Sequence, residues 1–94
     1  MFEIKFGDHG EIVPVGRLDA SQIDQAREFF EGVTTSKTID LTRLEYISSV
    51  GIGLLASTQK RLSLSGKKLK LVNAKDQIKA VFRIVGLDRI FEME

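Results

Sequence analysis

The chain has 94 residues, 43% hydrophobic and 29% charged, with a single proline, no cysteine and a formal net charge of +1. That length holds one hydrophobic core and is too short for two, and the composition is that of a globular chain rather than a disordered one. The lack of cysteine removes disulfide frameworks and thiolate metal sites, and so small a net charge does not by itself predict a nucleic-acid partner.

The opening "FEIKF" alternates apolar and polar residues as a half-buried strand does, and "GDHGE" reads as a hairpin turn into a second strand, "IVPVGRL". Pro14 cannot donate to a ladder, so it is expected at a bulge or where its nitrogen faces no neighbour. Beyond Leu18 the period becomes helical: Ile23, Ala26, Phe30 and Val33 form one stripe, with Asp24, Arg27, Glu28 and Glu31 away from it. Asp19 or Ser21 is placed to cap this helix and Gly32 to end it. "SKTIDL" reads as a short strand.

A second helix is expected from Gly51 to Ser65, with Ile52, Leu55, Ala56 and Leu62 inward, Thr58, Lys60 and Arg61 outward, and Gly66 as the stop. "KKLKLV" is a strand. Asn73 then opens a third helix carrying Ile78, Val81, Phe82 and Val85 at i, i+3, i+4, i+7 and ending at Gly86, and "RIF" closes the chain as a last strand. Phe29, Phe30 and Phe82 fall within helical patterns and are expected to pack in the core. An N-terminal hairpin followed by alternating helices and strands predicts one α/β domain over residues 1–94, with a mostly parallel sheet and right-handed crossovers.

No apolar run approaches the ~20 residues needed to span a bilayer, and "MFEIKFGDHG" lacks the layout of a secretory signal, so a cytoplasmic location without a membrane span is expected. His9, the single histidine, lies in the first turn and is expected to be exposed there, with no zinc or triad chemistry. Residues 1–49 carry five Lys/Arg against nine Asp/Glu, and residues 50–94 carry nine against four. The basic residues of the second half are dispersed, which points to a solvated lysine-rich surface rather than a nucleic-acid site.

The segment that calls for chemistry is "EYISSVGIG", where Ser48 and Ser49 precede two glycines at the mouth of the second helix. One serine suffices to cap the free amides of a helix start, and glycine there costs about 1 kcal/mol relative to alanine. Gly51 and Gly53 are therefore read as keeping the entrance open to close approach by another molecule. A catalytic nucleophile is disfavoured because the only histidine lies in a turn near the amino terminus and the GxSxG elbow is missing. Gly51, Gly53 and Ala56 match GxGxxA formally, but nine residues separate Leu41 from Gly51 and the remaining chain is too short for a dinucleotide fold. No GKS or GKT completes a Walker loop. Two readings remain open: simple capping, and covalent phosphorylation, which a helix N-terminus tolerates without unfolding.

"VGRLDA" (15–20), "IDLTRLEYISSVGIGLL" (39–55), "GKKLKLV" (66–72) and "VFRIVGLDRIFEM" (81–93) occur in an order that resembles the STAS family, and within it the bacterial anti-sigma factor antagonists. The resemblance implies a small domain that binds a cognate anti-sigma factor, itself a serine kinase, and is released by phosphorylation, with a phosphatase restoring binding. Aligned on the glycines, the family's phosphoacceptor falls on Ser49, with Ser48 as the alternative, and Asp19 matches an acidic residue near the acceptor. The partner-binding set so implied is Asp19, Ser48, Ser49, Gly51 and Gly53. The protein would be a substrate rather than an enzyme, with no cofactor or metal of its own and no direct nucleic-acid contact. The resemblance also admits a non-phosphorylated scaffold or subunit of a membrane-associated complex, for example in lipid transport. The chain departs from many members in having Ser48 where aspartate is common, and Val50 where serine or alanine is frequent.

Overall fold

The computed structural model describes all 94 residues, Met1–Glu94. The expected hairpin forms from β1 (Phe2–Phe6) and β2 (Ile12–Leu18), paired antiparallel. A capped 3-10 turn over Ala20–Gln22 leads into α1 (Ile23–Glu31), and β3 (Lys37–Asp40) and β4 (Leu44–Ile47) follow. Then come α2 (Ser49–Ser63), β5 (Leu69–Val72), α3 (Asp76–Ile84) and β6 (Glu92–Met93). The sheet runs β1-β2-β3-β5-β6, with β4 joined to β2, and every pairing except β1–β2 is parallel.

β2 changes neighbours along its length. Ile12 pairs with Ile39 of β3, and after a bulge at Gly16/Arg17 the strand pairs with β4, Leu18 opposite Ile47. Gly16 is required at the bulge: its φ is +93°, and a Cβ there would collide with the Met1 carbonyl oxygen. Pro14 has the same parity as Gly16, whose amide donates to the Arg43 carbonyl at 2.9 Å. The proline nitrogen therefore faces the seam between the β3 and β4 pairings, as its missing donor demands.

The register places Phe2, Ile12, Ile39 and Leu71 on one face, all buried, while Glu3, Lys5, Thr38, Lys70 and Glu92 line the other and are half-buried or exposed. The helices thus cover one face only. They bring Ala26 and Phe30, Ile52, Leu55 and Leu62, and Ile78 and Phe82 into a single core. The Arg61 guanidinium ties α2 to the end of α1 by donating to the Phe30 and Val33 carbonyls at 2.9 and 3.0 Å, the first of which also accepts from the Val33 amide at 3.0 Å. Gly66, with φ +73°, ends α2: its amide donates to the Ser63 carbonyl and that of Lys67 to Leu62, both at 3.0 Å.

Several expectations are corrected. β4 was not anticipated: its four residues show the burial pattern in-out-out-in, which has no period of two, and its pairing exists only beyond the bulge. The second helix starts two residues earlier than expected, and Thr58 is buried in it, its hydroxyl donating to the Leu54 carbonyl at 2.9 Å. Asn73 does not open the third helix. It adopts a left-handed conformation, φ 61°, and its side-chain amide donates to Asp40 Oδ1 at 3.2 Å, so α3 begins at Asp76. The final strand is Glu92–Met93, not "RIF": Phe91 turns inward to stack on Phe82, ring centroids 5.6 Å apart, and pairing with β5 starts after it. In the basic second half, Lys68 and Lys70 are ion-paired with Glu92 and Glu94. His9 is exposed in the first turn, as expected.

Candidate functional site

The parallel strands β2 and β4 end together, and the residues just beyond their ends form the site. Leu18 and Ile47 are register partners, and the Ser48 amide donates to the Leu18 carbonyl at 2.9 Å. Asp19 and Ser49, thirty positions apart in sequence, each stand one residue beyond that bonded pair.

Ser48 and Ser49 have different surroundings. Ser48 is half-buried, with extended backbone, and its Oγ accepts from the Gly51 amide at 3.2 Å as the cap of α2. Ser49 is the first helical residue and is exposed. No acidic side chain occupies the first turn of α2, so the partial positive charge of its free amides meets no carboxylate from its own helix.

Asp19 caps the turn that enters α1: its Oδ1 accepts from the Ser21 amide at 3.0 Å and the Ser21 hydroxyl at 2.6 Å, while its own amide donates to Gln22 Oε1 at 3.2 Å. These bonds complete a capping box. The Ser21 hydroxyl first, then the Ser21 amide, and more weakly the charge of Arg17, hold the Asp19 carboxyl below the ordinary aspartate value.

The two glycines part company. Gly51 is buried, and a Cβ added to it would lie 2.9 Å from Ile47 Cγ1 and 3.0 Å from Leu18 Cγ. Its missing side chain lets α2 sit against the ends of β2 and β4, which corrects its expected role in admitting a partner. Gly53 is exposed, with open space around its Cα, so close approach from outside is possible there. β4 also ends at Ile47, four positions before Gly51, so the separation from a strand no longer argues against a dinucleotide fingerprint. The inward-facing Gly51 does, since it offers no backbone to a pyrophosphate. Gly51→Ala is expected to cost about 1–2 kcal/mol, overpacking outweighing the gain in helix propensity. Gly53→Ala should instead stabilise by about 1 kcal/mol, and chemical denaturation of both variants reads the contrast directly.

Residues outside the expected partner-binding set extend the surface. Val50 is 48% exposed beside Ser49, out of phase with the buried Ile52 and Leu55, and that phase break was a usable signal. Further along the helix, Ala56, Ser57 and Lys60 line a groove of about 520 Å³ together with Ile90. Ile90 comes from the segment after α3, and no local pattern connects it to α2. Tyr46 lies under the Arg17 guanidinium, 4.3 Å from the ring centroid, at the end of the same two strands.

No helix is long and apolar enough to cross a membrane. The family model of the STAS domain matches residues 6–94. An anti-sigma-B factor antagonist of Listeria monocytogenes is 30% identical over 91 residues, covering 93% of this chain and 80% of that protein. One from Staphylococcus aureus is 28% identical over 90 residues, covering 92% and 76%. Among solved structures, the unphosphorylated anti-sigma factor antagonist SpoIIAA superposes with a TM-score of 0.75 at 23% identity, over 100% of this chain and 88% of that one. The phosphorylated form of Bacillus SpoIIAA gives 0.69 at 22%, over 100% and 91%. The structural likenesses establish the fold, and the family match spans nearly the whole sequence: the chain belongs to the STAS domain family.

Proposed function

We propose that this protein is an anti-sigma factor antagonist controlled by phosphorylation of Ser49. In this reading the exposed start of α2, with Asp19 at its border and Val50 and Gly53 beside the acceptor, docks a cognate anti-sigma factor that is also a serine kinase. The Ser49 hydroxyl oxygen attacks the γ-phosphorus of the partner's ATP, ADP departs, and the hydroxyl proton passes to a base of the kinase. A phosphatase hydrolyses the ester and restores the neutral surface. ATP belongs to the partner, the protein itself is a substrate, and the cycle runs in the cytoplasm.

The observation that carries this reading is the division of labour between the serines. Ser48 already fulfils the capping requirement from a half-buried position, which leaves the exposed Ser49 hydroxyl free for another use. A phosphate there brings a charge of about −1.5 to −2 to a helix N-terminus, where it is tolerated. The names of the relatives supply the partner class. The case for catalysis by Ser49 is weak, because His9 lies in the β1–β2 turn, beyond the opposite end of β2.

Incubation with candidate anti-sigma kinases and ATP, followed by mapping of the modified residue, is expected to place one phosphate on Ser49 and none on Ser49→Ala. Ser48→Ala should still be modified, although loss of its cap costs about 1 kcal/mol of stability. Modification confined to Ser48 would overturn the choice of acceptor. Recovery of a transporter ATPase from cells, with no phosphoserine in the intact mass, would favour a scaffold instead.

A further inference from the structure

We propose that β1 is a self-association edge, pairing antiparallel with β1 of a second copy about a two-fold axis through Ile4. β1 is hydrogen-bonded on one side only, to β2. The Gly7 amide donates to the Glu11 carbonyl at 2.7 Å and the Arg17 amide to the Met1 carbonyl at 3.1 Å. Odd-numbered residues therefore direct their backbone groups toward β2. By the alternation of an antiparallel ladder, Phe2, Ile4 and Phe6 turn their N–H and C=O groups to the open edge. A row of unpaired backbone groups is a template for another strand.

The side chains select which strand. Phe-Glu-Ile-Lys-Phe is a palindrome in polarity and opposite in charge about its centre. With Ile4 opposite Ile4 of the second copy, Glu3 faces that copy's Lys5 and Lys5 faces its Glu3, while Phe2 and Phe6 stand opposite each other. Glu3 and Lys5 lie on the open face of the sheet with side chains 55% and 47% exposed, free to exchange their own 3.6 Å contact for these cross-strand pairs. Phe6 is 53% exposed and extends the apolar side of the strand, packed on Phe29 with ring centroids 5.0 Å apart.

The same charges reject the neighbouring registers. A slip by two residues in one direction sets Glu3 against Glu3, and in the other Lys5 against Lys5. A slip by one turns the apolar side chains to the wrong face. A single edge lysine normally protects a strand from pairing; here the protection is lifted in one alignment, that of the chain with itself. The backbone row closes fully in that alignment, because Phe2, Ile4 and Phe6 each find a donor and an acceptor. The inference is independent of phosphorylation, as this edge lies on the far side of β2 from β3.

Sedimentation of the unmodified protein from about 1 μM to about 1 mM is expected to show a reversible dimer, with the Ile4 and Phe6 amides exchanging more slowly as it forms. Glu3→Lys and Lys5→Glu should each weaken association about tenfold or more, while circular dichroism shows the monomer fold unchanged, both positions being exposed. An equimolar mixture of the two variants should recover dimerisation, since each strand then carries two like charges opposite two of the other sign. A monomer at every concentration overturns the proposal. So does a dimer insensitive to either reversal, or a mixture that fails to recover.

Discussion

Ser49→Asp is expected to weaken the complex with the cognate anti-sigma factor about tenfold or more, equivalent to about 1.4 kcal/mol, and to leave the fold intact. The two halves of the expectation share one origin. An aspartate as the first residue of α2 meets free amides and the positive end of a helix that carries no acidic side chain in its first turn, so its charge stabilises the helix by about 0.3–1 kcal/mol. A partner whose surface fits a neutral hydroxyl must bury or repel that charge, so the complex is penalised where the free protein is not. Ser49→Ala keeps the surface neutral and removes the acceptor, and it should bind persistently in the presence of kinase and ATP. Titration calorimetry beside thermal unfolding separates the effects. Equal affinity of the aspartate and alanine variants would remove the electrostatic switch, and a fall in stability of Ser49→Asp would show that its side chain is not placed as described.

Phe82→Ala is expected to cost about 3–5 kcal/mol, a large share of the roughly 5–15 kcal/mol that holds a domain of this size together. Phe82 is fully buried, and its ring stacks on that of Phe91 at an interplanar angle of 16°. The stack fastens α3 and the start of β6, two elements remote from the hairpin, to the rest of the core. Truncation leaves a cavity that Phe91 cannot fill without dragging β6 from β5. For a chain of about this length each kcal/mol lowers Tm by about 4–8 °C, so the shift should exceed about 12 °C. Phe82→Leu, which retains most of the volume, should fall well short of that. A shift of only a few degrees for the alanine variant would mean that α3 does not depend on this contact.

Much of the architecture was legible because each signal was local. The alternation of "FEIKF" and "IVPVGRL", the stripe of Ile23, Ala26 and Phe30, and the glycines that stop the helices are each written within one element or its neighbour. The serine pair was conspicuous for the same reason: hydroxyls and glycines at a helix start depart from what propensity alone would select.

Other features were settled only when distant segments met. β4 is a strand because the bulge at Gly16 turns β2 toward it, and nothing in "LEYI" itself carries that alternation. Asn73 stands outside the helix, its side-chain amide donating to Asp40, thirty-three positions earlier, and its backbone amide to Glu94. Gly51 belongs to the core because Leu18 and Ile47 close on it, whereas Gly53, two positions on, remains open to solvent. Local chemistry therefore determined most of the strands and helices, β4 apart, and marked the serines as unusual. The packing of β2 against β4 decided which serine caps, which is exposed, and which glycine faces out, since those properties belong to neighbours brought together by the fold.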